Sequence, residues 1–520
     1  MPREHAPFPS ADPADWVDRA ARDQPHRPFL ETAEGRRLDY ASLREQSGRF
    51  SAALMRRGVV PGDRIAVQVD KSVEAVLLYV ACLRMGAVFV PINPANTPNE
   101  VNYFFCDSNP KVAVIRPADY TLLEPHAVRA GIPYVETLGD QGEGSLLALV
   151  RESAEDSGSP RRHSTDALAA IVYTSGTTGR SKGAMLSRAN LASNAAALAE
   201  AWHFSSRDVL LHTLPLFHVH GLFAAINTVL ASASSLVLMP KFDAASALKH
   251  LPQATVMMGV PTHYTRLLQQ AGLNREVTAG VRLFVSGSAP LLTETHRQFL
   301  QRTGHSILER YGMTETLMNT SNPYDGVRKA GSVGKPLPGI AVRVTGTSGA
   351  AERNADVAGA IEVAGPNVFA GYWQDPEKTR SEFTADGWFK TGDLGRIDRD
   401  GYLHIVGRAK DLVISGGYNV YPKEVEMELD ALSGVLESAV FGIPHPDFGE
   451  AVTAVIVPQA FAALSEADII NSLQTRLARY KIPKRVLIVD ELPRNTMGKV
   501  QKNVLRTVHA SLYGAGKTPA

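Results

Sequence analysis

The chain has 520 residues, more than one ordinary hydrophobic core accommodates, so we expect at least two folding units. Its 54 Lys and Arg residues nearly balance its 53 Asp and Glu residues, which leaves a net charge of +1. This balance excludes a general electrostatic attraction to nucleic acid or to an anionic membrane, so any polyanion must be bound locally. Hydrophobic residues at 44% and charged residues at 21% are typical of a globular enzyme.

The cysteines, the amino terminus and the most apolar stretch all predict a cytoplasmic protein without a membrane partner. Cys82 and Cys106 lie in separate apolar segments and do not have the spacing of a disulfide framework or a thiolate zinc site. The amino terminus mixes acids, bases and prolines and lacks the apolar run of a signal peptide. Residues 73–92 are the most apolar stretch, but Glu74 and Arg84 interrupt them, which predicts a helix followed by a strand.

The first two thirds of the chain alternate helical patterns with short β-branched runs bounded by Gly or Pro, which is typical of βα units on a largely parallel sheet. The polar segment 151–166 has no periodicity and predicts a surface linker. The predicted strands are 65–69, 112–115, 168–174, 235–240, 255–260 and 282–287, and the predicted helices are 73–86, 187–202, 262–271 and 293–303.

After about Gly331 the pattern changes to short alternating runs with Gly turns, which predicts a small β-rich subdomain. From Asp411 onward an α+β pattern predicts a separate domain. We therefore expect an α/β protein with a large amino-terminal domain of stacked α/β subdomains and a small, mobile α+β carboxyl-terminal domain. The elements predicted in the last domain are helices at 424–432 and 465–479 and strands at 437–443, 451–457 and 485–491.

Residues 173–187, YTSGTTGRSKGAMLS, combine glycines and hydroxyls with a lysine between an apolar strand and a helical pattern. Glycines let backbone N–H groups turn toward one concavity, the hydroxyls add donors and Lys182 adds charge, so the segment is suited to hold phosphates. The order of its glycines and lysine differs from that of a Walker A loop, and the alternative is a surface turn. The candidate phosphate ligands are Thr174, Ser175, Gly176, Thr177, Thr178, Gly179 and Lys182.

Two acidic residues lie in polar surroundings farther along the chain. Glu315 stands between Thr314 and Thr316, an oxygen-rich patch suited to Mg²⁺ carried by ATP, although an N-capping role is the alternative. Asp393 follows a glycine in a predicted turn, where its carboxylate can accept hydrogen bonds from both hydroxyls of a ribose. The alternative is that Asp393 is a solvent-exposed turn residue without a ligand.

Together with further motifs in a fixed order, these segments resemble the adenylate-forming superfamily of acyl-CoA synthetases, peptide-synthetase adenylation domains and luciferases. The resemblance covers nearly the whole chain. Within the superfamily, the stretches GVPTHYTRLL and LERYGMTETLMNTSNPYDG are similar to malonyl-CoA synthetases. The further motifs are LPLFHVHG (214–221), VSGSAPL (285–291), ERYGMTET (309–316), GYW (371–373), WFKTGDLG (388–395), the segment 401–426 and PRNTMGKVQK (493–502).

The resemblance implies ATP and coenzyme A as co-substrates, with Mg²⁺ accompanying the ATP. It places Tyr311 and residues 287–290 around the adenine, Asp393 on the ribose, and Arg408 within reach of ribose or phosphate. It also implies a domain boundary, with residues 1–407 binding ATP and acid, 408–410 as a hinge and 411–520 carrying the catalytic lysine. Beyond the phosphate ligands above, the implied ATP-binding residues are Gly287, Ser288, Ala289, Pro290, Glu309, Arg310, Tyr311, Gly312, Thr314, Asp393 and Arg408.

By the same resemblance, Lys499 is the catalytic lysine of adenylation, although composition alone predicts a surface lysine. One mobile ammonium can bridge the attacking carboxylate and the α-phosphate as negative charge develops. His218 lies against the reacting carboxylate and gates the CoA tunnel in this interpretation, with a core histidine as the alternative. Lys410 matches the hinge residue, and Gly416 and Gly417 line the path of the pantetheine arm.

The identity of the acid depends on Arg266, because an arginine in the acyl pocket indicates a second carboxylate held by a bidentate pair. In malonyl-CoA synthetases the residues that match Arg266 and Ser288 hold this distal carboxylate, whereas position alone predicts a helix-surface arginine. Relatives vary at His263 and Val219, so tolerance of methylmalonate stays open. The implied substrate-binding residues are Arg266, Ser288, His218 and Met313.

The sequence thus predicts ligation of malonate, or of methylmalonate, to coenzyme A through an acyl-adenylate, with release of pyrophosphate and AMP. One alternative is another short-chain, medium-chain or aryl acid. A second is an adenylation module that loads a carrier protein, which the short segment after Lys499 disfavours. A third is a nucleotide-binding protein without catalysis, which the presence of Lys499, Asp393 and Glu315 disfavours.

Overall fold

The computed structural model describes residues 12–153, 163–174, 181–346, 355–415, 418–495 and 498–513. Within these ranges the strands form four sheets. The strands are β1 (Pro28–Thr32), β2 (Arg37–Asp39), β3 (Arg64–Gln68), β4 (Val88–Pro91), β5 (Val112–Ile115), β6 (Tyr134–Thr137), β7 (Leu168–Thr174), β8 (Lys182–Ser187), β9 (Val209–His212), β10 (Ser235–Leu238), β11 (Val256–Gly259), β12 (Leu283–Ser286), β13 (Leu308–Met313), β14 (Leu317–Ser321), β15 (Lys335–Pro336), β16 (Ala341–Thr345), β17 (Gly359–Ala364), β18 (Gly371–Tyr372), β19 (Phe389–Ile397), β20 (Leu403–Arg408), β21 (Val413–Ser415), β22 (Tyr418–Val420), β23 (Val435–His445), β24 (Gly449–Pro458) and β25 (Arg485–Ile488).

Helices connect most of these strands, and in the described ranges none is long and apolar enough to cross a bilayer. Short 3₁₀ turns occupy Pro117–Asp119, Leu251–Gln253 and Ala409–Asp411, and a π-helical segment spans His220–Ile226. The α-helices are α1 (Ala14–Asp23), α2 (Tyr40–Arg56), α3 (Val73–Met85), α4 (Pro98–Ser108), α5 (Tyr120–Arg129), α6 (Ser145–Arg151), α7 (Arg188–Ala201), α8 (Asn227–Ser232), α9 (Ala244–His250), α10 (Pro261–Leu268), α11 (Thr293–Thr303), α12 (Pro376–Glu382), α13 (Pro422–Asp430), α14 (Glu466–Leu473) and α15 (Lys502–Val508).

Two large sheets form the amino-terminal part. One has the strand order β15-β14-β13-β12-β11-β9-β10-β1-β2, and the other has the order β18-β8-β7-β4-β3-β5-β6. The run from β1 through β10, β9, β11 and β12 to β13 is parallel, as is the run from β7 through β4, β3 and β5 to β6. Parallel strands need crossover connections, which the helices between them supply. The predicted α/β class of stacked subdomains is confirmed.

Helix α3 shows why the most apolar stretch of the sequence is not a membrane segment. Every residue of α3 is buried, so its apolar side chains pack inside the protein on all sides. The helix begins after Ser72, whose side chain accepts a hydrogen bond from the Ala75 N–H, and ends at Gly86 with a φ of 79°. Its two charges have partners: Arg36 lies 2.6 Å from Glu74, and Arg84 lies 3.2 Å from Asp18.

The remainder of the chain forms two smaller sheets. Strands β16, β17, β19 and β20 make an antiparallel sheet, which is the predicted β-rich subdomain. Strands β22, β21, β24 and β23, with β25 beside β24, make the sheet of the carboxyl-terminal domain. Its core is separate from the larger cores and contains Val413, Val425, Val440 and Ile456. The prediction of a small α+β domain after the β-rich region is confirmed.

Three local predictions were wrong. Strand β8 follows β7 as an antiparallel partner, with Thr174 opposite Lys182, so a strand and not a helix follows the predicted phosphate ligands. Asp393 lies within the nine-residue strand β19 and not in a turn. Helix α14 ends at Leu473, before the predicted 479, although Leu477 beyond its end still packs against the domain core.

Candidate active site

The predicted site residues converge because four neighbouring parallel strands end at the same edge of the large sheet. Strands β9, β11, β12 and β13 are adjacent and parallel, and in such sheets ligands bind beyond the carboxyl ends of the strands. The segment with His218 follows β9, α10 follows β11, residues 287–290 follow β12, and Glu315 follows β13. One edge therefore gathers motifs that are far apart in the sequence.

Asp393 and Tyr311 form the corner predicted to hold the ribose. The Tyr311 hydroxyl donates a hydrogen bond to Asp393 Oδ2 at 2.6 Å, and Arg408 Nε lies 3.0 Å from Asp393 Oδ1. The backbone N–H of Asp393 donates to Thr391 Oγ1 at 3.1 Å. Burial and the neighbouring carboxylate of Asp393 raise the pKa of Tyr311, so its phenol stays protonated. The carboxylate is thus fixed between a neutral donor and a guanidinium.

Glu315 and Lys182 meet at a second corner, on the ring of Tyr372. The Tyr372 hydroxyl donates to Glu315 Oε1 at 3.0 Å, and Lys182 Nζ lies 5.7 Å from the centre of the same ring. Glu315 is buried in the turn between β13 and β14, and burial raises the pKa of its carboxyl group. No helix follows this turn, because β14 begins at Leu317, so N-capping is excluded as its role.

The donors at this second corner fit a magnesium ion that arrives with ATP. Mg²⁺ is usually bound through one or two carboxylates, with the other positions filled by substrate phosphates and water. Glu315 supplies one buried carboxylate, and Lys182 supplies a cation for the phosphates. Of the predicted phosphate ligands, Thr174 ends β7 within the described residues. The other five lie outside them: Ser175, Gly176, Thr177, Thr178 and Gly179.

Lys499 lies in a tight turn that carries it into the same region. Its backbone N–H donates to Asn495 Oδ1 at 3.0 Å, and the Gly498 N–H donates to the carbonyl of Asn495 at 2.8 Å. A Cβ atom on Gly498 would stand 3.2 Å from the hydroxyl of Thr262 on α10, so this turn of the small domain touches the large domain. Burial, followed by the charge of Arg408, lowers the pKa of Lys499 to about 8.

The acyl side of the site contains two histidines held in their neutral form. The backbone N–H of His220 donates to His218 Nδ1 at 3.1 Å, and His220 Nδ1 lies 3.2 Å from Ser288 Oγ. Burial, followed by the charges of Arg310 and Lys499, lowers the pKa of His218 to about 4. Burial and Arg310 also lower the pKa of His220. Neutral imidazoles leave the positive charge of this region to Arg310 and Lys499.

Arg266 does not lie in a desolvated pocket. Its side chain is exposed in the last turn of α10, and among the described residues it makes no hydrogen bond or ion pair. Its charge still reaches His263, because burial and then Arg266 lower the pKa of His263 to about 3. The His263 ring stacks on Phe242 with ring centres 3.8 Å apart, and its Nδ1 lies 3.2 Å from Thr213 Oγ1. Arg266 therefore stands near the rim of the acyl side.

Further predicted residues lie on β13 and in the 3₁₀ turn after β20. Met313 ends β13 and is partly buried beside the site, and Glu309 on the same strand accepts a hydrogen bond from the Gly331 N–H at 3.1 Å. Burial raises the pKa of Glu309 to about 8. Lys410 lies in the 3₁₀ turn Ala409–Asp411 between β20 and β21. Gly416 and Gly417 lie outside the described residues.

Sequence reasoning missed two contributors. His220 was passed over although it is two positions from His218 in the same motif, and its contact with Ser288 brings it into the site. Tyr372 was recognised only as part of GYW, yet it joins Glu315 and Lys182. The histidine spacing was a usable signal for His220, whereas the role of Tyr372 depends on the pairing of β18 with β8, which no local pattern indicates.

Comparisons with known proteins agree with this arrangement. The model of the AMP-binding enzyme family matches residues 17–373, and that of the AMP-binding enzyme C-terminal domain matches residues 424–499. The crystal structure of ATP-bound MatB from Rhodopseudomonas palustris is 53% identical with a TM-score of 0.93, and the match covers 96% of this chain and 99% of that one. The mitochondrial malonate–CoA ligase of Mus musculus is 35% identical, over 88% of this chain and 83% of its own. The malonate–CoA ligase of Arabidopsis thaliana is 34% identical, over 91% and 85%. The chain belongs to the family of AMP-binding enzymes.

Proposed function

We propose that the protein ligates malonate to coenzyme A, converting ATP to AMP and pyrophosphate through a malonyl-adenylate. The observation that carries the proposal is the position of Lys499, whose amine interacts electrostatically with Arg408 and Asp393 and also with His218. This supports a role for its ammonium between the proposed nucleotide site and the proposed acyl site. The two relatives named malonate–CoA ligases support malonate as the acid.

In the first half-reaction a malonate carboxylate oxygen attacks the α-phosphorus of ATP, and the bond to pyrophosphate breaks. An ionised carboxylate needs no general base, so stabilisation of charge in the transition state is the main task. The Lys499 ammonium is suited to bridge the carboxylate and the α-phosphate, while Asp393 holds the ribose. Mg²⁺ bound with the phosphates near Glu315 would neutralise charge on the leaving pyrophosphate.

In the second half-reaction the sulfur of CoA attacks the acyl carbon, and AMP leaves with its phosphate oxygen. The thiol needs the space that Lys499 occupies, so the proposal includes rotation of the small domain about residues 408–410. For this rotation we propose that residues 1–407 form the large domain and residues 411–520 form the small domain. Gly416 and Gly417 are proposed to line the pantetheine path. His218, neutral and beside the acyl side, is proposed to gate that path.

The experiment that tests the proposal measures the two half-reactions separately with a panel of acids. With malonate and Mg·ATP we expect release of pyrophosphate, and with CoA added we expect release of AMP and formation of malonyl-CoA. Benzoate, butyrate and a fatty acid test the alternative substrates, and a carrier protein in place of CoA tests the loading alternative. A higher kcat/KM for any of these acids than for malonate would replace malonate in the proposal.

We also propose that the enzyme acts in the cytoplasm. Both cysteines are free thiols, with Cys82 buried and Cys106 exposed. Free thiols persist in reducing compartments, which supports the cytoplasm as the place where the enzyme acts. Fractionation of cells that express the tagged protein tests this, and recovery of the protein in an organelle fraction would contradict it.

A further inference from the structure

The turn that carries Glu315 contains a backbone conformation that its sequence does not favour. Residues 314–316 join the antiparallel strands β13 and β14, and the Thr316 N–H donates to the Met313 carbonyl at 3.2 Å. Leu317 then has a φ of 52°, although its bulky side chain is buried. A three-residue connection of this kind commonly ends on glycine, which adopts a positive φ without steric cost. A buried leucine in this conformation therefore stores strain in the turn.

Asn194, on helix α7, holds the residue that follows Leu317. Its Nδ2 donates to the Met318 carbonyl at 2.8 Å, and its Oδ1 accepts from the Met318 N–H at 3.2 Å. The Asn194 side chain is buried, so water does not compete for these two hydrogen bonds. One amide thus fixes both polar groups of the Met318 backbone, and the chain beside Leu317 cannot rotate without breaking both bonds.

Asn367 holds the residue that precedes Leu317. Its Nδ2 donates to the Thr316 carbonyl at 2.6 Å, and this side chain is also buried. Two residues farther along, the Phe369 N–H donates to the Glu315 carbonyl at 2.8 Å. Both donors belong to the segment between β17 and β18, which is far from the turn in the sequence. The strained residue therefore has a fixed neighbour on each side.

The segment that carries Asn367 is itself fixed to the sheet with the predicted phosphate ligands. Asn190, in the first turn of α7, donates from Nδ2 to the carbonyls of Pro366 and Val368, each at 2.8 Å. Strand β18, which follows the segment, pairs with β8, the strand that begins with Lys182. Hydrogen bonds of buried groups thus connect the turn of Glu315 to the strand of Lys182.

We propose that Asn194 and Asn367 are positioning residues for metal-bound ATP. They hold Leu317 in its strained conformation and thereby keep the Glu315 carboxylate where Mg²⁺ arrives with the triphosphate. Both act through backbone groups of the turn, whereas Tyr372 holds the carboxylate itself. Removal of a group that orients a metal ligand typically weakens metal binding about 10- to 100-fold. The proposal rests on the proposed function only for its use of Mg·ATP.

Calorimetric titration with ATP, once with Mg²⁺ and once with EDTA, tests the proposal in Asn194→Ala and Asn367→Ala. We expect the Kd of Mg·ATP to rise about 10- to 100-fold, while the Kd of metal-free ATP stays unchanged. Glu315→Gln should give the same pattern, because it weakens the carboxylate that the asparagines position. An equal rise in both Kd values, or an unchanged Kd of Mg·ATP in Glu315→Gln, would overturn the proposal. Binding is measured without acid, so this failure is distinct from that of malonate as the substrate.

Rescue by glycine gives a readout that general support of the fold would not produce. Glycine adopts a φ of 52° without strain, so Leu317→Gly added to Asn194→Ala should restore Mg·ATP binding. Its Tm should nevertheless be lower, because a buried leucine side chain is lost. The matched control is Leu317→Ala in the same background, which leaves a similar cavity, keeps the strain and should restore nothing. Equal Mg·ATP affinity of the glycine and alanine double variants would contradict the proposal.

Discussion

Lys499 of the small domain lies close enough to His218 of the large domain for its charge to lower the pKa of the imidazole. The contact between the Gly498 turn and Thr262 points to the same relative placement of the two domains. With Lys499 inside the site, the structure corresponds to the arrangement that the proposed mechanism requires for adenylation. In the proposed thiolysis step, Lys499 would have to leave this space so that the thiol of CoA can enter it.

Replacement of Lys499 by alanine should remove adenylation and spare thiolysis. In the proposed mechanism the ammonium stabilises charge only in the first transition state, and loss of such a contact costs about 10²- to 10³-fold in rate. Pyrophosphate release measures the first step, and conversion of supplied malonyl-adenylate by CoA measures the second and serves as the internal control. Equal loss of both half-reactions would contradict the assigned role.

The adenylation rate should fall as pH rises through about 8, the pKa to which burial and Arg408 lower the Lys499 amine. Below this pH the amine is an ammonium and can bridge the reacting oxygens, whereas above it the charge is lost. Lys499→Arg keeps a charge at all these pH values, so its rate, although lower, should not show the fall.

Glu309 supplies the control for this pH profile, because its pKa is raised to about 8 by burial and it titrates in the same range. Glu309→Gln removes that titration and should keep the fall in rate. Rates for pyrophosphate release between about pH 6.5 and 9.5, roughly 1.5 units either side of the pKa of Lys499, define the profile. If the fall in rate persists in Lys499→Arg and vanishes in Glu309→Gln, then the titration of Glu309, and not that of Lys499, causes it.

Lys410→Pro tests the proposed rotation. Lys410 lies in a 3₁₀ turn, and proline fixes φ near about −65°, which suits that turn but prevents the backbone from reaching another arrangement. We expect adenylation to continue and thiolysis to fail. Lys410→Ala is the matched control, since it removes the same side chain and leaves φ free, and it should support both steps. Normal thiolysis by the proline variant would exclude Lys410 as the hinge.

Much of the architecture followed from the sequence, because buried parallel strands and amphipathic helices have short, local signatures. The strand 112–115 and the helix 293–303 agree with β5 and α11 residue for residue. The antiparallel pairing of β7 with β8 did not follow, since the Gly- and hydroxyl-rich sequence between them resembles a strand-to-helix loop. Arg310 was predicted only as part of an ATP motif. Its burial depends on packing against Gly287, and therefore on the pairing of β12 with β13.

Arg266→Ala should lower kcat/KM for malonate by less than the loss of a desolvated carboxylate pair, which the sequence predicted, would do. A desolvated pair would be worth about 2–5 kcal/mol, but the Arg266 side chain is exposed, and exposed pairs are worth about 0.2–1 kcal/mol. We therefore expect a loss of no more than about five-fold in kcat/KM for malonate, and a smaller one at high salt. Kinetics at two ionic strengths check this. A large, salt-independent loss confined to malonate would show that Arg266 turns into the pocket.

Trapping the acyl-adenylate intermediate tests malonate ligation most directly. The wild-type enzyme is mixed with malonate and Mg·ATP without CoA, quenched in acid and analysed by mass spectrometry, and a second portion receives CoA before quenching. The account predicts malonyl-adenylate in the first portion, in an amount close to that of the enzyme, and malonyl-CoA with AMP in the second. Absence of malonyl-adenylate under conditions where another acid gives its own adenylate would contradict malonate ligation.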